Sequence, residues 1–244
     1  MTTLPADDFV RPTTGFWQSI VGADALGGFT LAPPYRYGFP ARLPDGRFLV
    51  LPIRKVAGQE GRAVASLIAN QASLGVVREL STMMAALARP FAPDVVIGLP
   101  TLGLAFAPLV AEALGHSRFV PLGYSRKFWY DDALSVPVRS LTTPGGGKRV
   151  YLDPNQLALV RGRRAVVVDD AVSTGGTLAA VVAMLEELDA RIAGVVVAMR
   201  QGTQWREALA DVEVAGVFDS PRLTRRQEGW YPEETSQAGT SGQA

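Results

Sequence analysis

The sequence predicts an α/β protein: a mostly parallel five-stranded sheet flanked by helices, with a small hood and a flexible hairpin inserted into the core. Three observations lead there. From residue 90 to 218, short apolar runs alternate with segments whose apolar residues recur at helical spacing. An Asp45-Gly46 pair between two apolar runs marks a hairpin that lies ahead of this alternation. At 244 residues, 48% of them apolar and 19% charged, the chain can bury one sizeable core and still carry appendages.

Each element can be justified in turn. Residues 1–35 are rich in Gly and Pro and read as irregular, with Phe16, Trp17 and Tyr35 among them. The segment 41–53 reads as the hairpin, and a helix is clearest from Val76 to Leu87, ending before Arg89-Pro90. Asp94 to Leu99 reads as a buried strand, Leu104 to Leu114 as a helix closed by Gly115, and Ser117 to Leu122 as a second strand. Arg164 to Asp169 is the third strand. Leu178, Val181, Val182, Leu185 and Leu188 then place apolar groups on one helical face. Ile192 to Met199 and Val214 to Phe218 complete five strands, and strand–helix alternation implies right-handed crossovers and parallel pairing. The connection 123–160 is too long for a simple loop and reads as a hairpin lid around Pro144-Gly-Gly-Gly-Lys148. Residues 233–244 have nothing to bury and read as a disordered tail. The expected division is a hood over 1–60, a core over 61–220 with its lid at 123–152, and a C-terminal segment over 221–244.

Composition narrows the function classes. A net charge of +1 without a block of one sign gives no support to nucleic-acid binding. The chain has no cysteine, so disulfides, thiolate metal sites and a Cys nucleophile are excluded. Its single histidine, His116, excludes a His-based triad or a His metal cluster and reads as part of a surface turn after Gly115. The first residues lack the basic region and apolar core of a signal peptide, and no apolar run has membrane-spanning length. A cytoplasmic protein is the expectation.

The chemistry concentrates in Val166-Val-Val-Asp-Asp-Ala-Val-Ser-Thr-Gly-Gly-Thr177. Two adjacent carboxylates, Asp169 and Asp170, repel each other and would not help a buried strand. In open parallel sheets ligands bind beyond the carboxyl ends of the strands, which is where this pair falls. Ala171 to Thr177 then leads into a helix whose N-terminus offers unpaired N–H groups and partial positive charge. Ser173, Thr174 and Thr177 add hydroxyls, while Gly175 and Gly176 let a ligand approach the backbone. Carboxylates suit a diol and the loop suits a phosphate, so the element is fitted to a sugar phosphate such as ribose 5-phosphate. The stretch Pro144-Gly-Gly-Gly-Lys148 is no nucleotide P-loop, because Arg149 follows the Lys and no core strand precedes it.

That twelve-residue stretch resembles the phosphoribosyl-pyrophosphate (PRPP) motif of the type I phosphoribosyltransferases, nearest in pattern to the adenine-type enzymes. The resemblance covers roughly residues 90–202. It implies the family's fold, and it implies that Asp169 and Asp170 hold the ribose hydroxyls while Ala171 and Ser173 to Thr177 surround the 5-phosphate. Val96-Ile-Gly-Leu-Pro-Thr-Leu-Gly103 resembles the pyrophosphate loop of the adenine-type enzymes, a four-residue loop with a strained peptide. Thr101, Leu102 and Gly103 would there offer backbone N–H groups to a diphosphate. Leu102 departs from the pattern, since adenine enzymes commonly carry Arg, and this counts against adenine in particular. Arg126 and Lys127 match a basic pair at the foot of the family's lid and, with Asp170, are the catalytic candidates. Lys148 on the returning arm is a further pyrophosphate candidate.

The implied reaction transfers the 5-phosphoribosyl group of PRPP to a nucleobase with release of pyrophosphate. Mg²⁺ is implied as cofactor, arriving with PRPP and needing no protein metal cage. A homodimer is also implied. Ser173 stands where hypoxanthine-guanine enzymes carry a third Asp, which argues against a close relative of those; the motif is nearer to the adenine- and orotate-type versions, and an adenine-like purine acceptor is favoured. The hood over 15–55 and the segment Arg200-Gln-Gly-Thr-Gln-Trp205 are the expected walls of the base site, and neither region alone reads out a base. Trp129, Tyr130, Trp205 and Trp230 read as packing residues. The competing class is a PRPP-binding regulator of nucleotide metabolism without catalysis. Such proteins typically add a DNA-binding helix pair, which residues 1–60 do not suggest.

Overall fold

The computed structural model describes residues 10–138 and 148–233. The chain first builds a small antiparallel sheet from β1 (Ile20–Val21), β2 (Gly38–Arg42), β3 (Phe48–Lys55) and β4 (Arg62–Ala65). Asp45-Gly46 makes the β2–β3 turn: Gly46 takes φ +85°, and the Asp45 carboxylate accepts from Arg47 N–H at 3.0 Å. Helix α1 (Leu74–Ala88) follows, capped by Ser73, whose hydroxyl accepts from Val76 N–H at 3.2 Å. Its buried residues Val76, Val77, Leu80, Met84, Ala85 and Ala88 keep the i, i+3, i+4 spacing that faces a core.

The core then runs through β5 (Val95–Gly98), α2 (Ala107–Ala113) and β6 (Val120–Pro121). The hairpin β7 (Ser135–Val138) and β8 (Lys148–Tyr151) leads to β9 (Arg164–Val172), α3 (Gly176–Glu187) and β10 (Arg191–Gln201). A short α4 (Trp205–Ala208) precedes β11 (Val214–Ser220). The five core strands lie in the order β11-β10-β9-β5-β6, all parallel. Valines crowd β9 and β10 because both faces of the sheet are covered. Val166, Val168 and Val196 pack with α1 and α2, whereas Val167, Val195 and Val197 pack on the α3 side. The expected second strand over 117–122 is reduced to two residues, and the fourth extends past Met199 to Gln201.

Residues 221–232, expected as a separate C-terminal segment, instead supply β12 (Arg222–Arg226) and β13 (Gly229–Pro232) of the small sheet, through β12 against β4. The expected boundary at residue 60 therefore cuts through that sheet, since β4 follows it. Trp230, 1% exposed, packs with Tyr35, Ile53 and Leu223 and joins β12 and β13 to the N-terminal strands. Trp205 is buried as expected, while Trp129 is 46% exposed and its neighbour Phe128 93%. The proposed lid tip and the tail from 234 onward lie outside the described residues. Among the described residues no helix is long and apolar enough to cross a membrane.

Candidate functional site

Topology selects the site before any side chain does. From β5 the chain steps outward to β6, then returns to the other side of β5 with β9 and continues through β10 to β11. The strand order thus reverses between β5 and β9, and the loops leaving those two carboxyl ends diverge to open a crevice. Leu99 N–H still reaches Val168 carbonyl at 2.9 Å. Beyond it β5 turns away, and Asp169 and Asp170 on β9 face the opening. A cavity of about 380 Å³ occupies this place.

The cavity brings together most of the residues singled out in the sequence. Thr101, Leu102, Lys148, Asp169, Asp170, Ala171, Ser173, Thr174, Gly175 and Thr177 line it. Gly176 opens α3, and Gly175 caps that helix at φ +81° and ψ −13°, a left-handed conformation that glycine takes without strain. The loop thereby turns the α3 N-terminus toward the crevice. Across from it the Pro100–Thr101 peptide is cis. Gly103 backs the loop onto β9, where any side chain would collide: a Cβ there would sit 2.8 Å from Val168 O and 2.9 Å from Asp169 Cα and Oδ1. Only glycine lets the loop lie this close to the acidic pair.

The electrostatics follow from the crowding. Burial pushes the Asp169 carboxyl well above the ordinary carboxylate range, and the neighbouring Asp170 charge pushes it further. Backbone N–H groups of Asp170, at 2.8 Å, and of Gly103 donate to it and partly offset this. Burial raises Asp170 to about 6, against favourable hydrogen bonds from Asp169 and backbone N–H groups. The free site therefore holds on to a proton at mildly acidic pH, and a ligand that donates hydrogen bonds or positive charge would draw it off.

Arg126 and Lys127 do not line the cavity. Arg126 Nε lies 2.8 Å from Asp132 Oδ1 on an exposed surface. Lys148 is the basic side chain at the opening, its Nζ 5.2 Å from the centre of the Tyr124 ring. Tyr124 itself was missed by sequence reasoning. Its phenol is pushed up by burial and then by the Asp169 and Asp170 charges, which sets it beside the acidic pair. The bridge between Gly123 and Tyr151, bonded in both directions at 3.1 and 2.8 Å, holds this segment against the hairpin.

The remaining wall is apolar, and it does not come from residues 15–55 as expected: β4 and the turn after it supply Val64, Leu67 and Ile68 with Ser66 among them, faced by Met199 and by Gln201, which alone of the expected 200–205 segment lines the cavity. Nothing in residues 64–68 signals a site in the sequence, because they are brought there by the docking of one sheet on another. Gln201 lies in the segment 200–205 expected to wall the base site, and Met199 was legible in principle, since period-2 alternation puts both on one face of a strand that ends at the crevice.

Among the described residues no three His, Cys, Asp or Glu side chains gather to hold a metal ion. The oxygen donors in the cavity, Asp169 and Asp170, are of the kind Mg²⁺ prefers, and a phosphorylated ligand would complete its coordination.

A model of the phosphoribosyl transferase domain matches residues 63–217. The chain belongs to this family. Its parallel five-stranded sheet flanked by helices is that of the type I phosphoribosyltransferase fold. The adenine phosphoribosyltransferase of Corynebacterium kroppenstedtii is 28% identical over 180 residues, covering 68% of this chain and 88% of that protein. The hypoxanthine/guanine phosphoribosyltransferase of Methanosalsum zhilinae is 35% identical over 107 residues, covering 43% of this chain and 54% of that one. Among solved structures, the adenine phosphoribosyltransferase of Thermoanaerobacter pseudethanolicus superposes with a TM-score of 0.58 at 19% identity, over 69% of this chain and 95% of its own. The match begins near β4, so β1 to β3 and the β12–β13 strands lie outside the family region.

Proposed function

We propose that this phosphoribosyltransferase moves the 5-phosphoribosyl group of PRPP to an adenine-like purine and releases pyrophosphate. The observation that carries the reading is the single crevice in which an acidic pair, a helix N-terminus with its hydroxyl loop, and an apolar hood wall converge. Asp169 and Asp170 accept hydrogen bonds from the ribose diol. Ser173 to Thr177 receive the 5-phosphate at the start of α3. The loop 100–103 presents backbone N–H groups to the pyrophosphate, and Lys148 adds a positive charge at the opening.

In the reaction a ring nitrogen of the base bonds to ribose C1, the C1–O bond to pyrophosphate breaks, and the base gives up its ring proton. Positive charge builds on the sugar ring at mid-reaction, and the two carboxylates stand ready to stabilise it. Mg²⁺, bound with PRPP through the carboxylates or the substrate's own oxygens, would neutralise the leaving group. The β7–β8 hairpin acts as the lid that shields PRPP from water. Arg126, with Lys127 beside it at the lid's foot, is held by a solvent-exposed ion pair to Asp132 worth at most about 1 kcal/mol, so moving Arg126 toward the pyrophosphate costs little.

The test is pyrophosphate release from Mg²⁺-PRPP over a panel of adenine, guanine, hypoxanthine, xanthine, uracil and orotate. Release that depends on adenine supports the reading. Bound PRPP with no release for any base would replace it with the regulatory alternative.

A further inference from the structure

The hood end of the crevice contains one polar side chain that nothing in the proposed chemistry yet uses. Gln201 is the last residue of β10 and is 8% exposed. Its Nε2 donates to the Ala65 carbonyl at 3.0 Å, across 136 residues of sequence. That bond fixes the amide: a flipped Gln201 would set its own oxygen against a carbonyl oxygen, two acceptors with no proton between them. Oε1 is therefore the free end. Among the described residues no N–H or O–H group donates to it. Nor is it sealed in, because the fully buried side-chain oxygens without a hydrogen bond belong to Gln156 and Glu233. An amide nine-tenths buried, lining the cavity, with its oxygen open and unpartnered, points that oxygen into the cavity.

The surroundings say what it meets. Met199, two residues back on the same strand face, and Val64, Leu67 and Ile68 from the hood make the rest of this end apolar. A flat ring would lie against them, with the acceptor at its rim. A purine joined to ribose C1 through N9 carries its 6-substituent at the opposite edge, away from the diol carboxylates and toward the hood. Adenine presents an amine there, a double donor, whereas a 6-oxopurine presents a second acceptor.

We infer that Gln201 determines base specificity, its Oε1 accepting from the exocyclic amine of a 6-aminopurine and repelling a 6-oxo group. The inference rests on the proposed transfer reaction and adds the group that reads the base. It also bears on Leu102, whose departure from the adenine pattern counted against adenine: discrimination is supplied from β10 and not from the pyrophosphate loop.

The experiment compares adenine with unsubstituted purine, which lacks only the amine, and with hypoxanthine, in the presence of Mg²⁺-PRPP. Binding is read by calorimetry and turnover by pyrophosphate release. With wild type, adenine should exceed purine about tenfold in kcat/KM, the scale of one neutral hydrogen bond, and hypoxanthine should fall below purine. In Gln201→Met, a change of similar volume that also gives up the bond to the Ala65 carbonyl, the ratio of adenine to purine should fall from about tenfold to about one, whatever the absolute rate of either base. The cycle separates a lost contact from a general structural effect, which would lower both bases together. Equal use of adenine and purine by wild type overturns the inference without reference to any variant. So does a preference for hypoxanthine, although the transferase reading would then stand. If PRPP binds but no base binds or reacts, both fall.

Discussion

Gly103→Ala adds one methyl group where the loop 100–103 lies against the acidic pair. The new Cβ would sit 2.8 Å from Val168 O and 2.9 Å from Asp169 Cα and Oδ1, well inside van der Waals contact. Two of those atoms belong to backbone that cannot retreat, because Val168 and Asp169 are paired to Val196 and Val197 of β10. The loop must move outward, or the Asp169 carboxylate must swing. Overpacking of this kind costs about 1–3 kcal/mol. For a chain of this size that lowers the melting temperature by roughly 2–12 °C, at 2–4 °C per kcal/mol. If Asp169 accepts from the diol as proposed, displacing it also forfeits a charge-assisted hydrogen bond, about 1.5–3 kcal/mol, or roughly ten- to a hundredfold in PRPP affinity. Melting curves and PRPP calorimetry well below the melting temperature read the two effects separately. Gly75→Ala serves as the control: it lies in the first turn of α1 with only Ser73 Oγ, at 3.8 Å, near the new methyl, and should stabilise by about 0.5–1 kcal/mol. A Gly103→Ala protein with wild-type melting and wild-type PRPP affinity would refute the claim that this glycine sets the distance between loop and carboxylates.

Two further expectations follow from the same site. Because burial holds Asp170 at about 6, above its ordinary 3.8, and Asp169 higher than usual, the ligand-free pair favours the folded state most at low pH. That contribution is lost as pH rises from about 4 through 6. PRPP, donating its hydroxyls to the ionised pair, should bind more tightly across the same rise and release a proton near pH 6; calorimetry in two buffers of different ionisation enthalpy measures it, and affinity flat from pH 5 to 8 would contradict the assignment. Lys148→Ala should lower kcat/KM for PRPP more than Arg126→Ala does, because Lys148 already stands at the cavity while Arg126 pairs with Asp132; the reverse order would mean that the lid closes far enough to exchange their roles.

How much of this could be read from the chain depends on whether the signal is local. The acidic pair and the α3 loop are contiguous, so strand, turn and helix N-terminus are written side by side and their meeting needs only one crossover. The β2–β3 turn at Asp45-Gly46 is local in the same sense. The hood is not. It is assembled from β1 to β4 and from β12 and β13, at opposite ends of the chain. The residues that join them, such as Tyr35 against Trp230, have no mark in sequence beyond being aromatic. The segment 64–68 becomes a cavity wall only once that sheet is docked, which is why it was invisible.

Gln201 lies between these cases. Its position was legible, as the alternate residue to Met199 at the carboxyl end of a strand, yet its chemistry was not. A glutamine at a strand end is ordinary, and an exposed one would bond to water. What gives it a role is the Ala65 carbonyl on a strand 136 residues away, which takes the amide nitrogen and leaves the oxygen as the free end of a side chain that lines the crevice. In the proposed site the type I core supplies the sugar-phosphate half within one continuous motif. The half inferred to choose the base is built by contact between the core and a second sheet, most of which lies outside the family region. The contact between β10 and the hood, more than the PRPP motif itself, is therefore where substrate choice in this protein should be sought.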